Sequence, residues 1–266
     1  MAGEALNGKV AVIVGGSRGI GRDVAVALAE AGADVVVSAR SETVSDPRLP
    51  GTIYTVAKEV EERGRRALPV KADVTKDEEL EALMQRTMET FGRLDILFNN
   101  AAILIPGTIR SVQPRHLDLM WRVDLRGLLM AIRFALDPMA KSGGGHIINV
   151  SSRAGVFPGP GPYNAEQRAR RGGAFYGMVK AGLERFSQSL AMEVADENIA
   201  VNVLSPTGRI RTPGNIFAQN DKENPNLDFE EAVAMGKAAV WICQQDPQQF
   251  TGNILFDDDV VREHGL

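Results

Sequence analysis

The chain has 266 residues, a formal net charge of −4, 44% apolar and 24% charged residues, and a single cysteine, Cys243. That length suits one α/β unit with a full core. The mild acidity, without a basic block, gives no electrostatic case for a nucleic-acid partner, and one cysteine excludes an intramolecular disulfide framework.

The opening residues are polar and run straight into a strand pattern, so no secretory leader is expected. No apolar run approaches a membrane span, and the final His264-Gly265-Leu266 is unlike a Ser-Lys-Leu address. A cytoplasmic protein with no membrane partner is expected.

Short β-branched runs alternate with stretches of helical period, the mark of βαβ units in a parallel sheet. Strands are predicted over residues 9–14, 34–38, 67–71, 94–99, 146–150, 200–204 and 253–256. Helices are predicted over 20–30, 52–63, 77–90, 115–140, 174–194 and 229–243. The strands are apolar on both faces. The predicted fold is therefore α/β: a single Rossmann-type doubly wound domain over residues 1–266, with a parallel sheet of about seven strands and helices on both faces. Two polar, proline-bearing loops, 41–51 and 153–173, follow strand ends, where ligands bind in this architecture.

The first strand passes directly into Gly15-Gly16-Ser17-Arg18-Gly19-Ile20-Gly21 and a helix. Glycine belongs where a backbone must turn tightly and let a pyrophosphate approach main-chain N–H groups. The second strand then ends Ser38-Ala39-Arg40-Ser41, with an arginine where an NAD-binding chain usually carries an acid for the ribose 2′-hydroxyl. Arg18 and Arg40 together suit a 2′-phosphate, so NADP(H) is expected to be preferred over NAD(H).

Further along come Asp73-Val74 after the third strand, Asn99-Asn100-Ala101 after the fourth, and Ser151-Ser152 after the fifth. Tyr176 and Lys180 then stand four apart on a predicted helix and share a face. A lysine beside a phenol favours the phenolate, and lowering the tyrosine pKa by about three units takes roughly 4 kcal/mol.

In order over nearly the whole chain, these motifs resemble the short-chain dehydrogenase/reductase family. Leu49-Pro50-Gly51-Thr52-Ile53-Tyr54 and Phe250-Thr251-Gly252-Asn253 resemble its hydroxysteroid dehydrogenase-like branch. The resemblance implies that Ser152 bonds the substrate oxygen, that Tyr176 gives or takes its proton, and that Lys180 holds the nicotinamide ribose and acidifies Tyr176. It further implies cofactor contacts from Gly15, Ser17, Arg18, Gly19, Ile20, Gly21, Arg40, Asp73, Val74, Asn99, Ala101, Tyr176, Lys180, Pro206, Ile210 and Thr212.

The implied enzyme is an NADP(H)-dependent oxidoreductase, a carbonyl reductase or alcohol dehydrogenase, that interconverts a ketone or aldehyde and an alcohol. Its partner is a small-molecule substrate, and its assembly a homodimer or homotetramer.

Four departures from the family pattern stand out. Val14 replaces a threonine, Thr207 interrupts a Pro-Gly pair, the Ser152–Tyr176 interval is long, and Asp124 occupies the place of a catalytic asparagine. The resemblance implies that this residue acts largely through its main-chain carbonyl, a role that would survive the replacement, whereas the added carboxylate could instead pair with Lys180 or disturb the water chain; activity is expected to be retained. The alternative reading is a catalytically weak dinucleotide-binding sensor or scaffold of the same fold.

Other residues are expected to do nothing special. His116, His146 and His264 are scattered, with no spacing for a metal. Asp257-Asp258-Asp259 reads as a solvated turn, and Arg168, Arg170 and Arg171 as a solvated face. Cys243 reads as a core residue, Tyr163 as a loop aromatic without chemistry, and 213–228 as a substrate lid.

Overall fold

The computed structural model describes residues 4–165, 168, 173–219 and 231–266. Seven strands, β1 (Val10–Val14), β2 (Asp34–Ala39), β3 (Ala67–Lys71), β4 (Ile96–Asn99), β5 (Gly145–Val150), β6 (Ile199–Ser205) and β7 (Ile254–Phe256), form one sheet in the order β3-β2-β1-β4-β5-β6-β7. Every neighbouring pair is parallel. The order reverses between β1 and β4, which opens a crevice at the carboxyl ends of those strands.

The period of two along each strand divides the core between the two faces. Ala11 and Ile13 of β1 join Val35, Val37 and Phe98 in one apolar cluster, while Val10, Val12 and Val14 join Val36 and Leu97 in the other. Helices α1 (Gly19–Glu30) and α2 (Ile53–Glu61) cover the first face. Helix α3 (Asp77–Phe91) covers the second. Strands buried on both sides need continuous apolar sequence, which is why their positions are plain in the sequence.

The helix predicted over 115–140 is interrupted. It is α4 (Pro114–Trp121), a π-helical turn (Arg122–Gly127) and α5 (Leu128–Lys141). Gly127 passes so close to the loop after β3 that a Cβ there would lie 2.5 Å from the Val74 carbonyl oxygen. The widened turn is fitted to that close passage and carries Asp124 inward, fully buried.

Helix α6 (Ala174–Glu193) crosses behind β5 and β6. Helices α7 (Pro213–Gln219), α8 (Val233–Cys243) and α9 (Asp257–His264) complete the described elements. The expected lid, 213–228, begins as α7, and its residues 220–228 lie outside the described residues.

Cys243 is buried, and burial pushes its thiol up. Asp257, Asp258 and Asp259 form the first turn of α9 rather than an open turn. Arg168 donates to the Tyr163 carbonyl at 2.6 Å, whereas Arg170 and Arg171 lie outside the described residues.

Candidate active site

The glycine turn leaves β1 at the crevice. Gly15 takes φ +86° and a Cβ on it would lie 2.7 Å from the Ala101 backbone. A Cβ on Gly21 would lie 2.2 Å from the Gly15 carbonyl, which also accepts a 2.8 Å bond from Asn100 Nδ2. The turn is thus shaped by backbone against backbone, with the start of α1 facing the crevice. Across it, Thr212 sits where a Cβ on Gly19 would meet its Cγ2 at 2.9 Å. Ile210 is buried nearby, and its carbonyl accepts from Thr212 N at 2.9 Å and Asn215 Nδ2 at 2.9 Å.

Arg18 reaches back to the 41–51 loop, donating to Ser41 Oγ at 2.6 Å and the Gly51 carbonyl at 3.2 Å. Its Nε is buried without a partner. Burial and the neighbouring charge of Arg40 both depress the Arg18 guanidinium. Arg40 is 64% exposed and stands 4.0 Å from Asp73.

Asp73 Oδ1 accepts from both the N–H and the hydroxyl of Thr75, at 2.9 and 2.8 Å. Asn99 Nδ2 bonds Asn149 Oδ1 at 3.0 Å, tying β4 to β5, while Asn99 Oδ1 is buried without a partner.

Ser152, two residues beyond β5, accepts from Ala154 N at 3.2 Å and lies close enough to Tyr176 to favour its ionised form. Tyr176 and Lys180 share a face of α6 as their spacing predicts, with Lys180 Nζ 5.7 Å from the Tyr176 ring centre. The lysine is fully buried and donates to the Val150 carbonyl at 2.8 Å. Burial pulls its ammonium down, against the negative charges of Asp124 and Glu184.

Asp124 Oδ1 accepts from Ile103 N at 2.6 Å; Oδ2 is buried and unpartnered. Burial pushes this carboxyl up to about 7, against the pull of Lys180 and the Ile103 N–H.

The acidified tyrosine expected from the Lys180 spacing is not what the structure shows. Desolvation of its phenol end and then the charge of Asp124 hold Tyr176 above its ordinary range, with Ser152 working the other way. The physical reason is the burial of the phenol, followed by the charge of Asp124; the Tyr176–Lys180 spacing carries neither. Sequence reasoning also missed Glu184, whose Oε1 accepts from Ser151 Oγ at 2.5 Å, and Asn100 beneath the glycine turn. Glu184 stands one helical turn beyond Lys180, a signal that the spacing did offer.

A profile of the short chain dehydrogenase family matches residues 9–223. Hydroxysteroid dehydrogenase-like protein 2 from Homo sapiens is 32% identical over 98% of this chain, and the match covers 59% of that protein. The Danio rerio protein of the same name is 32% identical, with 98% and 60% covered. The chain therefore spans about three-fifths of the length of these relatives. A short chain dehydrogenase structure from Mycobacterium thermoresistibile superposes with a TM-score of 0.82 at 32% identity, covering 98% of this chain and 89% of that one. A 3-oxoacyl-[acyl-carrier protein] reductase from Brucella melitensis gives 0.75 at 26% identity, covering 94% and 95%.

The chain belongs to the short-chain dehydrogenase/reductase family of oxidoreductases, and its similarity to the hydroxysteroid dehydrogenase-like branch extends over nearly its whole length. The family implies a nicotinamide dinucleotide cofactor and small-molecule substrates. Among the described residues, no helix is long and apolar enough to cross a membrane, and no three His, Cys, Asp or Glu side chains gather as a metal site.

Proposed function

We propose that this protein is an NADP(H)-dependent oxidoreductase that interconverts a ketone or aldehyde and an alcohol, with binding and catalysis carried by one sheet-and-helix unit. The observation that carries the reading is Tyr176 and Lys180 on one face of α6, with Lys180 Nζ buried 5.7 Å from the Tyr176 ring centre and held by the Val150 carbonyl at the carboxyl end of β5, just before Ser152.

The crevice fits a dinucleotide: its glycine turn leaves room only for backbone at Gly15 and Gly21, and Arg18 Nε has no partner. The turn from Gly15 to Gly21, with Ser17 and Ile20, would hold the pyrophosphate at the start of α1. Arg18 and Arg40 would take the 2′-phosphate of NADP(H), and Asp73 with the Val74 main chain the adenine. Asn99, Ala101, Pro206, Ile210 and Thr212 would line the nicotinamide end, with Tyr176 and Lys180 on its ribose.

In reduction a hydride would join the carbonyl carbon and a proton its oxygen; a dinucleotide held by these residues would supply the hydride. The chain supplies the rest. Ser152 Oγ orients the substrate oxygen, and Tyr176 Oη gives it the proton as negative charge develops there. Ile105, Val112, Met120 and Phe175 line a small pocket with Tyr176 and would keep water from a carbonyl carbon held there. We extend the proposal to a homodimer or homotetramer; Leu119 and Trp121 on α4 and Met192 on α6 are exposed.

The test is Tyr176→Phe in an NADPH-oxidation assay against a panel of ketones and aldehydes. Turnover is expected to fall by about 10²–10⁴-fold, with NADPH affinity, followed by fluorescence, little changed. Turnover that survives the substitution refutes the assignment of Tyr176 as the proton donor. Dinucleotide binding with no turnover of any carbonyl or alcohol favours the sensor reading.

A further inference from the structure

We propose that Glu184 is a positioning residue: it grips Ser151 and so holds the neighbouring Ser152 in place against the helix that carries Tyr176 and Lys180. The proposal rests on the carbonyl–alcohol reading above and adds to it a residue that acts through Ser152 rather than on the substrate.

The chain leaves β5 still extended. Ser151 N donates to the Leu204 carbonyl at 3.1 Å, one residue beyond the last strand residue, and Ser152 has φ −162° and ψ 154°. Successive side chains of an extended chain leave opposite sides, so fixing one fixes the direction of the next. The Ser151 side chain is fixed. It is buried, and its Oγ donates to Glu184 Oε1 at 2.5 Å. A bond to a carboxylate is roughly twice as strong as one between neutral groups.

Beyond Ser152 the chain turns back at once. Ala154 N donates to Ser152 Oγ at 3.2 Å and Gly155 N to the Ser152 carbonyl at 2.8 Å, closing a 3-10 turn (Arg153–Gly155). That turn lies directly on α6. A Cβ on Gly177 would stand 2.7 Å from the Ala154 carbonyl oxygen, and one on Gly155 would overlap Glu184 Oε1. Glu184 therefore meets the segment on both sides of Ser152, at Ser151 by a hydrogen bond and at Gly155 by close contact. Ser152 and Tyr176 are thus held by one helix.

Their shared task needs this. Ser152 Oγ accepts from Ala154 N, which leaves its own hydrogen for the substrate oxygen, the atom that Tyr176 must also reach. Two groups converging on one atom tolerate little error, and a misplacement of about 1 Å can cost about 10²-fold in rate.

Glu184 also lends negative charge to Lys180, one turn back, and the variants part the two roles. Ser151→Ala removes the bond and leaves the charge. Glu184→Gln removes the charge and leaves an oxygen for Ser151, and Glu184→Ala removes both. In NADPH-dependent reduction of a ketone or aldehyde that the unchanged chain turns over, kcat and kcat/KM are expected to fall together by about 10- to 100-fold in Ser151→Ala and Glu184→Ala. KM for the carbonyl and NADPH binding by fluorescence are expected to stay within about threefold, and Glu184→Gln to recover most of the rate. In a Ser152→Ala background, Glu184→Ala is expected to cost less than about twofold more, because the two act as one unit.

Gly155→Ala gives a second route that leaves α6 unaltered, should Glu184→Ala fail to fold. Its methyl group displaces the carboxylate end of Glu184, and the same fall in kcat at unchanged KM is expected. Full kcat in Ser151→Ala or Gly155→Ala, Glu184→Gln as slow as Glu184→Ala, or an undiminished cost of Glu184→Ala without the Ser152 hydroxyl overturns the proposal. So does full turnover in Ser152→Ala itself. The carbonyl–alcohol reading then still stands on the turnover of the unchanged chain. If the unchanged chain turns over no carbonyl or alcohol, that reading falls and the proposal with it.

Discussion

Arg40 and Arg18 divide the work of recognising a 2′-phosphate unequally. Arg18 is held by Ser41 and Gly51 and can turn little, whereas Arg40 is largely exposed and, among the described residues, has only the 4.0 Å approach to Asp73. The free fork is Arg40, and a charge-assisted bond from it to a phosphate is worth about 1.5–3 kcal/mol. Arg40→Ser is therefore expected to weaken NADPH binding by roughly 10- to 100-fold and to leave NADH nearly unchanged, as read by fluorescence titration with each dinucleotide. Equal losses for both would show that Arg40 braces the loop instead. Arg18→Ser is the less informative change, because it would also release the 41–51 loop from the glycine turn. That loop is tied in further by Arg48, whose guanidinium lies 4.5 Å over the Phe217 ring of α7, a contact between two segments distant in sequence that no local pattern announces.

Among the elements, the central strands were legible because burial on both faces leaves no choice of residue; the edge strands are only partly buried, yet 67–71 is found as predicted, and no strand shifts by more than two residues at either end. The helix over 115–140 was not, because periodicity shows an apolar face and is blind to one widened turn within it. Gly127 was the local clue, and its meaning depends on Val74, a residue far away in sequence. The same blindness affected the site. Gly15, Gly21, Ser152, Tyr176 and Lys180 could be placed from motif and spacing, but the burial of the Tyr176 phenol, and after it the Asp124 charge carried inward by the π turn, both of which push Tyr176 above its ordinary range, are tertiary features. Gly127→Ala tests that link. Its Cβ would meet the Val74 backbone, so a loss of about 1–3 kcal/mol in stability is expected from overpacking. Turnover measured well below the melting transition should fall as well, because the displaced turn carries Asp124. Lost stability with unchanged turnover would show the turn to be a packing device only.

Over the whole molecule, buried titratable groups at the two ends of the sheet respond to pH in opposite senses. At the amino end of β5, His146 is buried and its imidazole is pulled down to about 4, chiefly by desolvation. The unfolded chain binds that proton first, so stability is lost as pH falls from about 6.5 towards 4. Asp95, close by, adds to this at lower pH: burial works against it, but bonds from Arg93, the Val10 N–H and Lys9 hold its carboxyl below the usual range. Asp124 is the reverse case. Its folded value of about 7 lies above the ordinary 3.8, so the native chain holds the proton more tightly, and stability is lost as pH rises through that interval. Asparagine at 124 removes this term together with the Asp124 charge that supports the Lys180 ammonium, and leaves His146 and Asp95 at the other end of the sheet nearly independent. Asp124→Asn is therefore expected to be more stable than the unchanged chain by about 2–4 kcal/mol near pH 8. The gap should close as pH falls towards 4, leaving the variant with the steeper acid loss that His146 and Asp95 impose. Denaturant unfolding at a series of pH values measures both curves. A difference that does not vary with pH would mean that the Asp124 carboxyl is not held protonated by burial, and a destabilised variant at every pH would assign the residue a packing role. Convergence at acid pH would show that the site keeps a charge the fold alone would shed.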